Sequence, residues 1–246
     1  MCRHLAYLGA PVPIRQLVLD PPLGLYRQSW APRAQRHGTV NADGFGVGWY
    51  ADGDPVPARY RRAGPIWADG GFADLARVVR TRALLAAVRS ATEGCAAGEA
   101  AAAPFGADRW LFSHNGALPG WPGRLGALAA GLPAEELLGL EARSDSALVW
   151  ALVLHRLRAG AAPGEALADT VLTVAEHSDA RLNLLLTDGT SIAATSWGDT
   201  LCHRTTEGSV LVASEPGDEE PGWIRLPDRS LLLATAEGTT VKPLIP

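Results

Sequence analysis

Cys2 stands directly behind the initiator methionine. Cysteine is small enough for Met1 to be removed during synthesis, which leaves a thiol and a free α-amine on one residue. An α-amine has a pKa of about 7.7–8.0, so a useful fraction is neutral at cellular pH and accepts the thiol proton directly or through water. No side-chain base is then required. Taken alone, a cysteine at position two is more often incidental or buried, so the reading depends on what else the chain supplies.

His114-Asn115-Gly116 follows the apolar run Trp110-Leu111-Phe112-Ser113. At a strand end, the Asn115 carboxamide and the Gly116 N–H can converge on one oxygen as an oxyanion hole. Losing one such donor typically costs roughly 2.7–4 kcal/mol in barrier. The plain alternative is an ordinary Asn-Gly turn. Arg89 closes another apolar run, Leu85-Ala86-Ala87-Val88, and is followed by Ser90 and Thr92. A guanidinium fork binds a carboxylate through two bonds, although an isolated arginine more often makes a surface ion pair. Asp145 either caps a helix starting there or binds a substrate ammonium. The two roles conflict only if the cap uses both oxygens.

These residues need strands and one helix to hold them. Cys2–Leu8 reads as a first strand closed by Gly9, and Pro11–Gly38 as irregular, with Pro21, Pro22 and Pro32 as breakers. Gly44–Tyr50 and Ala58–Arg62 predict a hairpin, Leu75–Arg82 a short helix, and Ala83–Val88 and Trp110–Ser113 short strands. The Ala- and Gly-rich stretch Ala91–Asp108 reads as a surface loop. Ser144 or Asp145 starts a helix to about Arg158, with Leu148, Ala151, Leu152 and His155 on one face, and a second helix covers Pro163–Glu176. Leu182–Thr187, Ser191–Thr195, Val210–Ser214 and a terminal pair around Glu237-Gly238 follow as strands. Strands, then helices, then strands again fit two sheets with helices packed outside.

Composition narrows the chemistry. The 246 residues are 47% hydrophobic and 20% charged, ordinary for a globular chain of one or two domains. A net charge of −4 argues against a nucleic-acid partner. Lys242 is the only lysine and precedes a proline, which disfavours Schiff-base chemistry. The three cysteines and six histidines show no zinc or disulfide spacing, so no metal and no cofactor is expected. The N-terminal apolar stretch is too short and broken for a signal peptide or membrane span, so the expected location is the cytoplasm. Gly44-Phe45-Gly46-Val47-Gly48 suggests a nucleotide loop, but no GK[ST] follows.

Met1-Cys2, Arg89-Ser90-Ala91-Thr92, His114-Asn115-Gly116 and Ser144-Asp145-Ser146 together resemble the class II glutamine amidotransferases. The resemblance implies an α+β fold, the four-layer αββα sandwich of the N-terminal-nucleophile hydrolases, as a single domain over 1–246. It implies Cys2 as nucleophile, with Asn115 and Gly116 holding the oxyanion. Arg89 and Thr92 would bind the glutamyl α-carboxylate and Asp145 its α-amine, with His114 among the substrate-binding residues. One departure is Glu93, where these glutaminases often carry histidine.

A narrower likeness runs through Met1–Gly9, Leu19-Asp20-Pro21-Pro22, Asn41-Ala42-Asp43-Gly44, Ala87–Thr92, Thr195–Leu201, Ala213-Ser214-Glu215-Pro216 and Pro227-Asp228-Arg229. These segments resemble the ergothioneine-pathway hydrolases that act on γ-glutamyl-hercynylcysteine sulfoxide. The chain also ends soon after its last core strand, leaving no room for an ammonia-accepting synthase domain. The implied activity is hydrolysis of that γ-glutamyl amide, with a small-molecule substrate and no nucleic acid or membrane. A glutaminase or glutathione-degrading subunit working with a partner is the alternative, and an inactive binding module is the alternative from another class. Most of the eight tryptophans serve packing. A trimethylammonium favours aromatic faces, however, so one or more of Tyr26, Trp30, Trp49, Trp67 and Trp223 is expected at that end of the pocket.

Overall fold

Strands buried on both faces require a packing layer on each side. The stretch Arg80–Val88 is such a strand, with Ala83 to Val88 continuously buried. A computed structural model describes residues 2–245. In chain order its elements begin β1 (Arg3–Pro13), α1 (Ile14–Val18), α2 (Leu25–Gln28), β2 (Phe45–Trp49), β3 (Ala58–Arg62), α3 (Phe72–Val78) and β4 (Arg80–Val88). The middle carries β5 (Phe105–Ala107), β6 (Trp110–Ala117), α4 (Gly126–Ala130), α5 (Ala134–Leu138), α6 (Asp145–Arg158) and α7 (Pro163–Ala175). The last third is strands: β7 (Arg181–Thr187), β8 (Ile192–Ser196), β9 (Cys202–Thr206), β10 (Ser209–Ala213), β11 (Ile224–Arg225), β12 (Ser230–Thr235) and β13 (Gly238–Pro243).

The strands form two sheets, ordered β11-β9-β10-β1-β4-β2-β3 and β13-β12-β8-β7-β6-β5. Side chains alternate across each strand, so each sheet sorts its apolar residues onto two faces. Ala6, Leu8 and Leu85 of the first sheet meet Leu111, Leu185, Ala194 and Leu232 of the second in a shared apolar layer. The first sheet's other face carries Leu5, Tyr7, Val47 and Leu84, covered by Ile14 and Val18 of α1 and Phe72 and Ala76 of α3. The second sheet's other face carries Phe112, Leu184 and Leu186, covered by Leu148, Leu152, Leu167 and Val171 of α6 and α7. The result is the four-layer order of helices, sheet, sheet and helices that the resemblance implies.

Local chemistry sets the helix starts. The Ser144 hydroxyl accepts the Ala147 N–H at 3.2 Å, so Ser144 is the cap of α6 and Asp145 its first residue. Pro163 opens α7, where a missing N–H costs nothing. Trp150 of α6 stacks on Phe112 at 5.1 Å between centroids, anchoring the helix over β6.

Four expectations need correction. β1 does not end at Gly9 but continues to Pro13, because a register shift between Leu8 and Val12 accommodates Pro11 without breaking the pairing. The segment 11–38 holds the short helices α1 and α2. The stretch 91–108 is not simply a surface loop, since Ala101, Ala102 and Phe105 are buried and β5 pairs with β6. The helix expected over Leu75–Arg82 lies earlier, at Phe72–Val78, and yields to β4 at Arg80.

Candidate active site

Cys2 precedes β1, and the register that pairs Arg3 with Val88 brings it alongside Arg89. Its Sγ lies 3.8 Å from the Ser90 carbonyl oxygen. Burial pushes the thiol pKa up, and the Arg89 charge pulls the other way. Met1, whose removal the sequence reading expects, lies outside the described residues.

Alternation decides what Cys2 faces. Cys2, His4, Ala6 and Leu8 share the side of β1 turned toward the second sheet, where His4 Nδ1 sits 3.1 Å from Ser113 Oγ. From that contact β1 and β6 run in opposite senses, since Ala6 and Leu8 share a core layer with Leu111. Two residues the other way, Cys2 and Asn115 arrive at the same end of the layer. Asn115 is fully buried, and neither its Nδ2 nor its Oδ1 has a partner among the described residues. A buried amide without partners costs about 1–3 kcal/mol, which folding alone gives no reason to retain.

Gly116 admits no side chain. A Cβ there would collide with the Arg181 carbonyl and crowd the His114 ring. His114, expected in the substrate-binding set, bonds protein through both ring nitrogens. It lies on the opposite side of β6 from Ser113 and Asn115, with Nδ1 3.0 Å from Ser146 Oγ and Nε2 2.9 Å from the Arg181 carbonyl. Both ring nitrogens are thereby held by protein, and burial lowers the ring's pKa. His114 ties β6 to β7 and to the start of α6.

Arg89 and Asp145 share the end of the sheets with Cys2. Arg89 is buried, donating from Nη1 to the Asp43 carbonyl at 3.2 Å and from Nη2 to the Ala96 carbonyl at 2.8 Å. Asp145 is also buried. Its Oδ1 accepts the Ser146 N–H at 2.8 Å and the Cys95 thiol at 3.5 Å, and its Oδ2 accepts the Leu118 N–H at 3.2 Å. Oδ1 already takes two donors, whereas Oδ2 takes one and keeps a second lone pair, so these bonds do not close the residue to an ammonium. Thr92 is half-buried, and its carbonyl accepts the Cys95 N–H at 3.1 Å. An open groove runs between Thr92–Gly94 and Ala117–Trp121 beside this cluster.

Several neighbours went unassigned from sequence. Cys95 and Ala96 together bridge Asp145 and Arg89. Arg3 is fully buried on the other face of β1, with Nε 3.2 Å from Gln35 Oε1 and 3.4 Å from Glu215 Oε1. Glu215 Oε2 accepts the backbone N–H groups of Arg33 and Ala34 at 2.7 and 2.9 Å, and Asn41 Nδ2 donates to the Gln28 carbonyl and Gln35 Oε1, both at 3.0 Å. These bonds pin the irregular segment 31–41 over the end of the first sheet. The only sequence signal for them was that Arg3, Asn41 and Glu215 fall in runs that carry the family likeness.

Of the five aromatic candidates, three come together: Tyr26, Trp30 and Trp67. Trp49 sits at the far end of β2, opposite Ala58 and Leu84. Trp223 is held beside Arg204 and bonds Asp218 at 2.9 Å.

Comparison with known proteins bears on this arrangement. A family model for class-II glutamine amidotransferases matches residues 22–206. The chain is 44% identical to a gamma-glutamyl-hercynylcysteine sulfoxide hydrolase of Mycolicibacterium smegmatis, over 99% of this chain and 100% of that protein. It is likewise 44% identical to a protein of the same name from Mycobacterium tuberculosis, over 99% and 97%. Identity to a probable glutamine amidotransferase of Saccharomyces cerevisiae is 24%, over 100% of this chain and 85% of the yeast protein. Among solved structures, a glutamine aminotransferase class-II domain protein from Silicibacter pomeroyi superposes with a TM-score of 0.73 at 24% identity, each chain covered fully. The glutamine phosphoribosylpyrophosphate amidotransferase of Bacillus subtilis gives 0.65 at 16%, covering 99% of this chain and 49% of that one.

Proposed function

The chain belongs to the class II glutamine amidotransferases, and from that premise we propose that it hydrolyses the γ-glutamyl amide of γ-glutamyl-hercynylcysteine sulfoxide, releasing glutamate and hercynylcysteine sulfoxide. The observation that carries the reaction is the buried Asn115 amide, without a partner among the described residues, at the same end of the inter-sheet layer as Cys2. The near-full-length identity to two mycobacterial hydrolases supports the substrate, and the lower identity to the yeast protein ranks plain glutamine hydrolysis below it.

In this reading, removal of Met1 leaves the α-amine of Cys2 free to take the thiol proton. The sulfur attacks the γ-carbonyl carbon, and the carbonyl oxygen becomes an oxyanion that accepts hydrogen bonds from Asn115 Nδ2 and the Gly116 N–H. Collapse breaks the C–N bond. The amine proton passes to the departing hercynylcysteine nitrogen, leaving a γ-glutamyl thioester on Cys2. Water then attacks the thioester, the α-amine accepting its proton, and glutamate leaves as the thiol is restored. Arg89, with Thr92 beside it, binds the α-carboxylate of the glutamyl head, and Asp145 binds its ammonium. Buried charges of this kind strongly reject ligands lacking the matching group. His114 acts as a positioning residue. No step calls on a metal or organic cofactor.

The whole chain, 1–246, works as one domain in this reading, in the cytoplasm. No helix among the described residues is long and apolar enough to cross a membrane. Two measurements test the proposal. Intact mass of the purified protein should lack the mass of Met1, and glutamate release from the sulfoxide should exceed release from glutamine. Retained Met1 in an active preparation, or faster turnover of glutamine, would overturn it.

A further inference from the structure

The hercynyl leaving group is a betaine, with a trimethylammonium and a carboxylate on one carbon, and such a group is recognised by aromatic faces set beside a guanidinium. One place on the helix-covered side of the first sheet has that composition. Tyr26 and Trp30 meet edge-to-face with centroids 4.8 Å apart and planes at 89°, and Trp30 meets Trp67 at 5.8 Å and 88°. Successive perpendicular rings present faces in different directions, as the walls of a corner do. Trp67 is 40% exposed and Tyr26 and Trp30 are half-buried, so the corner opens to solvent. The Arg27 guanidinium lies over the Trp30 ring at 5.4 Å.

This corner stands on the same end of the first sheet as Cys2. Ser29, next to Trp30, accepts the Asn41 N–H at 2.7 Å through its carbonyl, and two residues later Asp43 bonds both Arg89 and the Ala91 N–H. From the other side, Trp67 follows shortly after Arg62, which pairs with Phe45, itself opposite Val88 and so beside Arg89. Two independent stretches of chain lead from the corner to the residue beside the nucleophile.

We infer that Tyr26, Trp30 and Trp67 bind the trimethylammonium of the leaving group and that Arg27 binds its carboxylate, making this corner the specificity determinant of the reaction. The inference rests on the sulfoxide reading. It assigns affinity for the leaving group to a part of the molecule that touches neither the γ-glutamyl head nor the scissile bond.

The test is a comparison of kcat/KM for γ-glutamyl-hercynylcysteine sulfoxide with that for the analogue in which the three N-methyl groups are absent, in wild type and in Trp67→Ala, Trp67→Phe and Arg27→Ala. Circular dichroism and melting temperature would confirm that each variant is folded. Trp67→Ala should cut the preference for the methylated substrate roughly tenfold or more, mainly through KM, while Trp67→Phe retains most of it. Arg27→Ala should raise KM for both substrates, since both carry the carboxylate. An undiminished preference in folded Trp67→Ala, with the sulfoxide still turned over, would overturn the inference and leave the proposed function standing. A wild-type protein that turns over another γ-glutamyl amide but not the sulfoxide would overturn both.

Discussion

Replacing the Cys2 thiol by a hydroxyl changes one atom and leaves the packing nearly intact, yet a hydroxyl is a far weaker acid and poorer nucleophile than a thiol, and the site is arranged around sulfur. Cys2→Ser should therefore reduce glutamate release by on the order of a thousandfold or more while the melting temperature stays within a degree or two. Release at the wild-type rate would remove the nucleophile from the proposal. Asn115→Ala tests the oxyanion site separately. It should lower kcat about 10²–10³-fold with little change in KM. Because the Asn115 side-chain amide bonds no group among the described residues, the loss of activity should not be accompanied by the loss of a native hydrogen bond, and thermal denaturation checks that. Cys2, Asn115 and Arg89 were all legible as candidates, because their chemistry is carried by residue type at a strand end. The outward turn of His114 was not, because which side of a strand a residue takes depends on the register of its neighbours.

At the scale of elements, the site depends on how β6 ends and α6 begins. Gly116 lies against the Arg181 carbonyl of β7, so Gly116→Ala must push the two strands apart. The expected result is a large drop in melting temperature or insoluble expression, and a stable, fully active variant would contradict the packing described. Ser144 caps α6 and so orients Asp145 beside it. Ser144→Ala should cost about 1 kcal/mol, a fall of roughly 2–4 °C in melting temperature for a chain of this size. It should also raise KM for the γ-glutamyl substrate, because the carboxylate loses its fixed start of helix. Most elements were legible from alternation and caps. The β9 strand, Cys202–Thr206, was missed, since its polar residues after His203 look outward and leave little alternation to read.

For the whole molecule, the two histidines buried beside the site make stability depend on pH. Burial holds the His4 pKa well below its usual value, with the Arg3 charge and His114 adding to the effect, and burial lowers His114 as well. The unfolded chain takes up protons at these rings near pH 6.5, whereas the folded chain refuses them until the pH is lower. Below about 6.5 the unfolded state therefore binds more protons and stability falls as pH falls; above that value the contribution is fully present. Melting temperature followed from pH 7.5 down to 5 should show this decline, and His4→Gln, which keeps a partner for Ser113, should flatten it. A variant with an unchanged slope would assign the acid sensitivity elsewhere.

Residue order alone named the candidate reacting groups, the alternation that demands two sheets, and the capped helix that carries Asp145, because these follow from side-chain chemistry and local periodicity. Tertiary structure decided which groups meet. The pairing of Arg3 with Val88 sets Cys2 beside Arg89, the opposed run of β1 and β6 brings Asn115 to the same end, and the course of segments 29–43 and 62–67 gathers Tyr26, Trp30 and Trp67. Contacts between residues so distant in the chain depend on strand register and sheet stacking, and neither leaves a mark within a short window of sequence.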